Sequence, residues 1–183
     1  MQRFAQNTER GAMAFDELYD RYKDKTWRYF RRQLKNDFAR DAQQDLWTRL
    51  IERRTRYQRK NKFGGYLFSM ANSVLIDIQR KQLRIVDSAT DMDVDLAELP
   101  ASSKTEPAQS AELERAKDAL STAISSLPQV QRNTFVLHQE SGLSYAEIAE
   151  ATDTTIETVK SRLRYARSKL VDQLKEDLRH VDL

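Results

Sequence analysis

The stretch TTIETVKSRLRYARSKL, residues 154–170, combines an apolar stripe with a run of positive charges. Its apolar residues recur every three or four positions: Ile156, Val159, Leu163, Ala166 and Leu170. This spacing predicts an α-helix that buries one face. The same helix carries five cations: Lys160, Arg162, Arg164, Arg167 and Lys169. Such a charged face serves either to solvate the helix or to bind a polyanion.

The residues before this helix predict a shorter helix and a tight turn. Ser144 and Glu147 have the spacing of a capping box, and Thr154 and Glu157 repeat it at the start of the cationic helix. Two helices joined by a turn of three or four residues form a helix-turn-helix, whose second helix enters the DNA major groove. The outward face of the second helix would present five side chains to the base edges: Thr158, Lys160, Ser161, Arg164 and Tyr165. Phosphates would be bound by the flanking Arg162 and Arg167.

Composition limits what else the chain can be. Its 183 residues include only four glycines and three prolines, which favours helices throughout. With no cysteine and two histidines, it offers neither a disulfide framework nor a zinc cluster. The N-terminus lacks the apolar run of a signal peptide, and no stretch is long enough to span a membrane. We therefore expect an all-α cytoplasmic protein without a cofactor and without membrane insertion.

Charge divides the chain into three parts. Residues 1–86 hold 20 basic and 10 acidic residues, a net charge of +10, whereas residues 87–118 hold 3 and 9, a net charge of −6. Residues 119–183 hold 8 and 9, a net charge of −1. Helical periodicity is absent from 87–110, where Asp, Ser, Thr, Ala and Pro predominate. We predict two small helical domains, 1–86 and 112–183, joined by an acidic, flexible linker at 87–111.

Three amphipathic stretches in the first domain, near 14–35, 38–56 and 65–83, predict a small helical bundle. The loop RRTRYQRKNK, residues 53–62, carries six cations, which suits the backbone of a nucleic-acid strand. Tyr57 in this loop and Phe63 and Tyr66 after it could stack unpaired bases, while Phe63 and Tyr66 are alternatively residues of the core.

Both domains resemble the extracytoplasmic-function sigma factors of bacterial RNA polymerase. The second domain carries this family's Leu-Pro start and its Gly-Leu-Ser, Glu-Ile-Ala and Thr-Val-Lys-Ser-Arg-Leu segments between residues 127 and 163. In the first, DAQQDLWTRLIE resembles the helix that grips the polymerase clamp. The resemblance implies that core polymerase is bound by Asp41, Gln44, Asp45 and Trp47.

The segment FGGYLFSMANSVLIDIQRK, from residue 63, resembles the family's next helix, which melts and holds the promoter's minus-ten element. The residues implied in that contact are Lys60, Lys62, Phe63, Asn72, Ser73 and Arg80. Tyr66 stands where the family usually has tryptophan. Ser73 stands where it usually has the base-contacting asparagine, while Asn72 lies one place earlier. Either of the pair is a candidate for the base contact.

The resemblance implies a sigma factor that performs no reaction of its own. Its partners would be core RNA polymerase, promoter DNA and an anti-sigma factor, and its helix-turn-helix would read the minus-thirty-five element. Two other classes remain open on the residues alone. A dimeric helix-turn-helix regulator would not need the DAQQDLWTRL segment, and a nuclease would need a metal cluster that the sequence does not present.

Overall fold

Seven α-helices make up the part of the chain that the computed structural model describes, residues 9–57, 63–88 and 109–179. Their bounds are α1 Glu9–Arg31, α2 Asn36–Glu52, α3 Phe63–Ser88, α4 Gln109–Ser125, α5 Gln129–Val136, α6 Tyr145–Ala151 and α7 Ile156–Arg179. Between them lie a 3-10 turn, Arg54–Arg56, and a π turn, Leu137–Ser141. These ranges contain no β-strand, and the predicted all-α fold is confirmed.

The first three helices pack against one another as the predicted bundle. Their buried stripes meet in a core that includes Phe30, Leu46, Leu67 and Phe68. Helix α1 was expected to reach residue 35 but ends at Arg31, because the chain tightens there: the N–H groups of residues 33 and 34 both donate to the carbonyl of Phe30, at 2.9 and 2.8 Å. Helix α3 is longer than predicted and runs to Ser88.

Helix α7 is the centre of the second domain and contacts α4, α5 and α6. Four of the five stripe residues are buried: Val159, Leu163, Ala166 and Leu170. Ile156, the first residue of the helix, is 40% exposed, so the buried stripe begins one turn later than predicted. None of the helices in the described ranges has the length and apolarity to cross a bilayer.

The connections around α6 show which local predictions hold. The capping box is confirmed: the Ser144 Oγ accepts from the backbone N–H of Glu147, whose carboxylate accepts from the N–H of Ser144 at 2.8 Å. The second predicted box is wrong, because the residue that caps α7 is Thr155, whose Oγ1 accepts from the N–H of Thr158 at 3.2 Å. Asp153, with φ of 49°, turns the chain so that Thr155 rather than Thr154 reaches this position.

The helix after Pro128 also differs from its prediction. It was expected to continue as one α-helix to Glu140, but its last turn widens into the π turn, where the hydroxyl of Ser141 donates to the carbonyl of Leu137. Gly142 then ends it in the left-handed conformation, with φ of 68°, as the sequence predicts for a C-terminal glycine.

The two domains pack directly on each other, which the sequence did not indicate. Helix α3 lies against α6, and α1 lies against the π turn. Apolar residues of both domains form one continuous cluster, in which Tyr29 and Phe68 belong to the first domain and Leu143 and Ile148 to the second. Residues 89–108, most of the predicted linker, lie outside the described residues.

Candidate functional site

The residues predicted to contact the minus-thirty-five element lie on the outward side of α7 and on its two flanks. At 100° per residue, Ser161 and Arg164 lie opposite the buried stripe. Lys160 and Arg167 follow one flank of the helix, and Thr158 and Arg162 follow the other. Lys160, Arg164 and Arg167 are exposed, whereas the other three are half-buried. The helix thus presents donors over most of its circumference outside the core.

Several of these side chains already have partners within the helix. Lys160 Nζ lies 3.4 Å from Glu157 Oε1, and both side chains are exposed, so water and salt weaken this pair. The Arg164 guanidinium lies over the ring of Tyr165, 5.2 Å from its centroid. The Ser161 Oγ donates to the carbonyl of Thr158 at 2.9 Å, which leaves its lone pairs as acceptors.

Within the described ranges Arg162 and Arg167, like Arg164, have no ion-pair partner, whereas Lys160 has one. The positive charge of Arg167 affects the imidazole of His138. His138 is half-buried, with its ring 5.5 Å from that of Tyr145. Burial and then the positive charge of Arg167 lower the pKa of His138. His138 is therefore neutral near pH 7, and the positive charge that acts on it is that of Arg167.

The predicted polymerase-binding residues lie on α2. Asp41 and Gln44 are exposed, and Asp45 lies beside them within one helical turn. Asp45 is also part of an ion-pair chain: its carboxylate lies 2.8 Å from Arg49, which in turn lies 3.0 Å from Asp77 of α3. Part of the acidic face is thus tied to the neighbouring helix.

Trp47, the fourth predicted polymerase contact, is only 6% exposed. Its ring meets the edges of Phe15 and Tyr19, with centroids 5.9 and 4.9 Å away. In the structure it supports the packing of α1 on α2 from beneath the acidic face. Its role in binding polymerase stays a prediction.

The aromatic residues near the predicted minus-ten site pack together. Phe63 contacts Tyr22 and Tyr57 edge-on, with centroids 5.3 and 6.3 Å apart, and Tyr57 lies 5.1 Å from Tyr66. Burial raises the pKa of Tyr66, in keeping with its position against the core. The predicted Lys60 and Lys62 lie outside the described residues.

Asn72 and Ser73 face different sides of α3. Ser73 is exposed and donates to the carbonyl of Ser69 at 3.1 Å, and Arg80 is exposed farther along the helix. Asn72 is 5% exposed and points at the second domain, where its amide donates to the carbonyl of Ala151 at 2.9 Å. Adjacent helix residues point about 100° apart, which accounts for the divergence.

A polar network around Asn72 was not predicted from the sequence. Asn133 donates to the Asn72 Oδ1 at 2.7 Å, and the Tyr29 hydroxyl donates to the Asn133 Oδ1 at 2.9 Å. Burial raises the pKa of Tyr29, so its hydroxyl stays protonated as a donor. These residues lie far apart in the chain, and no local pattern marks them as partners.

An ion-pair cluster lies beside this network and was also missed. The two carboxylate oxygens of Glu140, in the π turn, accept from Arg28 Nε at 2.7 Å and from Arg32 Nε at 2.9 Å. The Glu140 side chain is 10% exposed. The spacing of Arg28 and Arg32 by one helical turn was the only local signal for a shared anion.

Comparison with known proteins matches both domains to regions of the Sigma-70 family. The family model of Sigma-70 region 2 matches residues 18–85, and that of Sigma-70, region 4 matches residues 117–170. The ECF RNA polymerase sigma factor EcfG of Rhodopseudomonas palustris is 31% identical over 134 residues, which are 73% of this chain and 70% of EcfG. SigE of Mycolicibacterium smegmatis, another ECF RNA polymerase sigma factor, is 31% identical over 162 residues, 88% of this chain. The chain spans only 62% of the length of that relative.

Two solved structures share the fold. One is CnrH in complex with the cytosolic domain of CnrY, with a TM-score of 0.69 and 20% identity over 96% of this chain and 95% of that one. The other is the sigma factor RpoE in complex with the anti-sigma factor NepR from Bartonella quintana, with a TM-score of 0.69 and 23% identity over 87% and 95%.

Proposed function

Because the chain belongs to the extracytoplasmic-function sigma factors, we propose that it binds core RNA polymerase and directs transcription from specific promoters. In this role α7 reads the minus-thirty-five element in the major groove. The exposed side of α3, with the cationic loop before it, opens and holds the minus-ten element. The acidic face of α2 docks on the polymerase.

The observation that carries this proposal is the outward side of α7. A helix-turn-helix presents the cations of its second helix away from the buried residues Val159, Leu163, Ala166 and Leu170, which is the arrangement that major-groove binding requires. The polymerisation chemistry belongs to the partner, so this chain acts as a specificity subunit rather than an enzyme. It works in the cytoplasm, where polymerase and promoters are. An anti-sigma factor is a further proposed partner, since the structural neighbour RpoE was solved in complex with one.

Reconstituted transcription tests the proposal. Core RNA polymerase from a related bacterium, supplied with the chain and a library of promoter fragments, should produce transcripts from a subset with common minus-thirty-five and minus-ten sequences. Core enzyme alone provides the control. A chain that binds DNA as a dimer on a palindrome and never associates with core would instead be an ordinary helix-turn-helix regulator. Cleavage of the fragments would indicate a nuclease.

Base reading and phosphate binding on α7 should separate by mutation. Alanine at Lys160 or Arg164 should cost about 1–3 kcal/mol on the preferred promoter and relax preference at one or two positions. Alanine at Arg162 or Arg167 should weaken binding to all promoters alike and reduce the salt dependence by about one unit per lost phosphate contact. Affinities of the polymerase complex for single-base promoter variants at several salt concentrations measure both effects. Equal losses on every sequence from all four variants would remove the assignment of base reading.

Minus-ten preference should depend on Ser73 more than on Asn72. Ser73 is exposed on α3, and its hydroxyl is shorter than an asparagine amide, which offers both a donor and an acceptor to a base edge. We expect Ser73→Asn to change which minus-ten bases are preferred and Asn72→Ala to change that preference less. Permanganate reactivity of thymines on a panel of minus-ten variants measures open-complex formation. An unchanged preference with Ser73→Asn and a collapse with Asn72→Ala would transfer the base contact to Asn72.

A further inference from the structure

Helix α7 carries a large aromatic side chain on its outward side. Tyr165 is 57% exposed, more than any other aromatic residue in the described ranges, and it does not belong to the core cluster. Its ring contacts the neighbouring Arg164 instead: the guanidinium carbon lies over the ring, 5.2 Å from its centroid. Tyr165 therefore acts on the surface of the helix rather than in the packing of the domain.

The stack lies on the part of α7 that is proposed to meet DNA. Ser161 is opposite the buried stripe, and the residues three and four positions after it are its neighbours on the helix surface. Those neighbours are Arg164 and Tyr165, which flank the line through Ser161 on its two sides. Consecutive side chains point 100° apart, so Arg164 has to fold sideways to reach the ring. The position of the ring therefore determines where the guanidinium lies.

The contact with the ring leaves the hydrogen-bonding edge of Arg164 available. A guanidinium stacks on an aromatic ring through its flat face, whereas its N–H donors point outward in the plane of the group. Within the described ranges no carboxylate pairs with Arg164, whereas Lys160 is paired with Glu157. In the major groove the N7 and O6 acceptors of guanine match the planar fork of an arginine. The arrangement suits bidentate reading of a guanine.

We propose that Tyr165 is a positioning residue that holds Arg164 for a guanine in the minus-thirty-five element. The proposal rests on the proposed function of α7, and it adds the identity of one base and the residue that orients its reader. A long side chain without a partner occupies many rotamers, and ordering it on binding opposes association. Because Arg164 already lies over the ring in the free chain, less order has to be imposed when DNA binds.

The role belongs to the ring of Tyr165 and not to its hydroxyl. A tyrosine hydroxyl can bind a phosphate, but phosphate contacts carry no direct sequence information. If the hydroxyl were the contact, Tyr165→Phe would weaken binding to all promoters alike. If the ring orients Arg164, Tyr165→Phe keeps the preference for guanine and Tyr165→Ala reduces it.

Affinities for modified promoters test the proposal. The whole chain is bound to core polymerase and titrated with a promoter that the wild-type chain uses. Arg164→Ala first identifies the minus-thirty-five position at which base preference relaxes, and the wild-type promoter should carry guanine there. That guanine is then replaced by adenine or by 7-deazaguanine, which lacks the N7 acceptor. The variants compared are Tyr165→Phe, Tyr165→Ala and Arg164→Ala/Tyr165→Ala. Val171→Ala is the control, because it removes another exposed side chain from α7.

The wild-type chain, Tyr165→Phe and Val171→Ala should prefer guanine to adenine by about 5- to 150-fold, the discrimination of one bidentate contact. They should prefer guanine to 7-deazaguanine by a smaller factor, since only one of the two acceptors is lost. Tyr165→Ala should lower the preference for guanine about 3-fold or more, as the loss of an arginine–aromatic stack predicts. In the Arg164→Ala background the same substitution should have no further effect on base preference.

Three results would each overturn the role of Tyr165. The first is an unchanged guanine preference with Tyr165→Ala, and the second is an equal loss with Tyr165→Phe. The third is a preferred base other than guanine at the position that Arg164 reads. If the wild-type chain directs transcription, any of these removes only the positioning role and leaves the proposed function standing. A wild-type chain that directs no transcription with core polymerase would overturn the proposed function and the positioning role together.

Discussion

Replacing Asp41 with arginine is expected to abolish co-purification with core RNA polymerase. Asp41 is exposed on the acidic face of α2, so the substitution reverses one charge without breaking an internal contact. Reversing a charge in a desolvated interface costs about 2–5 kcal/mol, which weakens binding roughly 30-fold or more. Equilibrium binding of the labelled chain to core polymerase measures the effect, and circular dichroism should show unchanged helical content.

A charge-matched control is available on α1. Asp24→Arg makes the same change at an exposed residue next to Lys23, whose carbonyl accepts from Gln43 on another side of α2. It should leave polymerase binding nearly unchanged. Asp45→Arg is a less suitable probe, since it also breaks the ion pair with Arg49. If Asp41→Arg and Asp24→Arg bind core equally well, α2 does not provide the docking face.

The largest loss of stability is expected from Phe68→Ala. The Phe68 side chain is fully buried in α3, with its ring 5.7 Å from that of Tyr29 in an edge-to-face contact. Truncating a buried phenylalanine removes its transfer free energy and leaves a cavity, at a cost of about 3–5 kcal/mol. This is a large part of the stability of an ordinary domain. Urea unfolding measures the loss, and the two tryptophans, Trp27 and Trp47, report on the first domain.

Leu83→Ala on the same helix is the matched control. Leu83 is 64% exposed, so the substitution should change the free energy of unfolding by less than about 0.5 kcal/mol. If Phe68→Ala were as mild as Leu83→Ala, the first domain would not have the core described. Circular dichroism follows the helices of both domains. If it shows the same loss of stability as the tryptophans of the first domain, the two domains unfold together.

Local patterns in the sequence were enough for most of the elements. The spacing of Val159, Leu163, Ala166 and Leu170 placed one face of α7 in the core, because a helix repeats every 3.6 residues whatever its surroundings. The capping box at Ser144 and the left-handed Gly142 were predicted for the same reason, since each depends on neighbours within a few residues. The cap of α7 was placed one residue early because the turn at Asp153 is not encoded in the capping pattern.

The sequence by itself determined the helices, the helix-turn-helix, the two domains and the family to which their motifs belong. Only the tertiary structure decided that the domains pack on each other, that Asn72 faces Ala151 while Ser73 faces outward, and that Glu140 holds Arg28 of α1 and Arg32 just after that helix. The physical reason is the separation along the sequence between the residues that make contact. A helical face follows from residues three and four apart, whereas the partners of Asn72 and Glu140 lie 43 to 112 positions away, and their pairing depends on how whole helices pack.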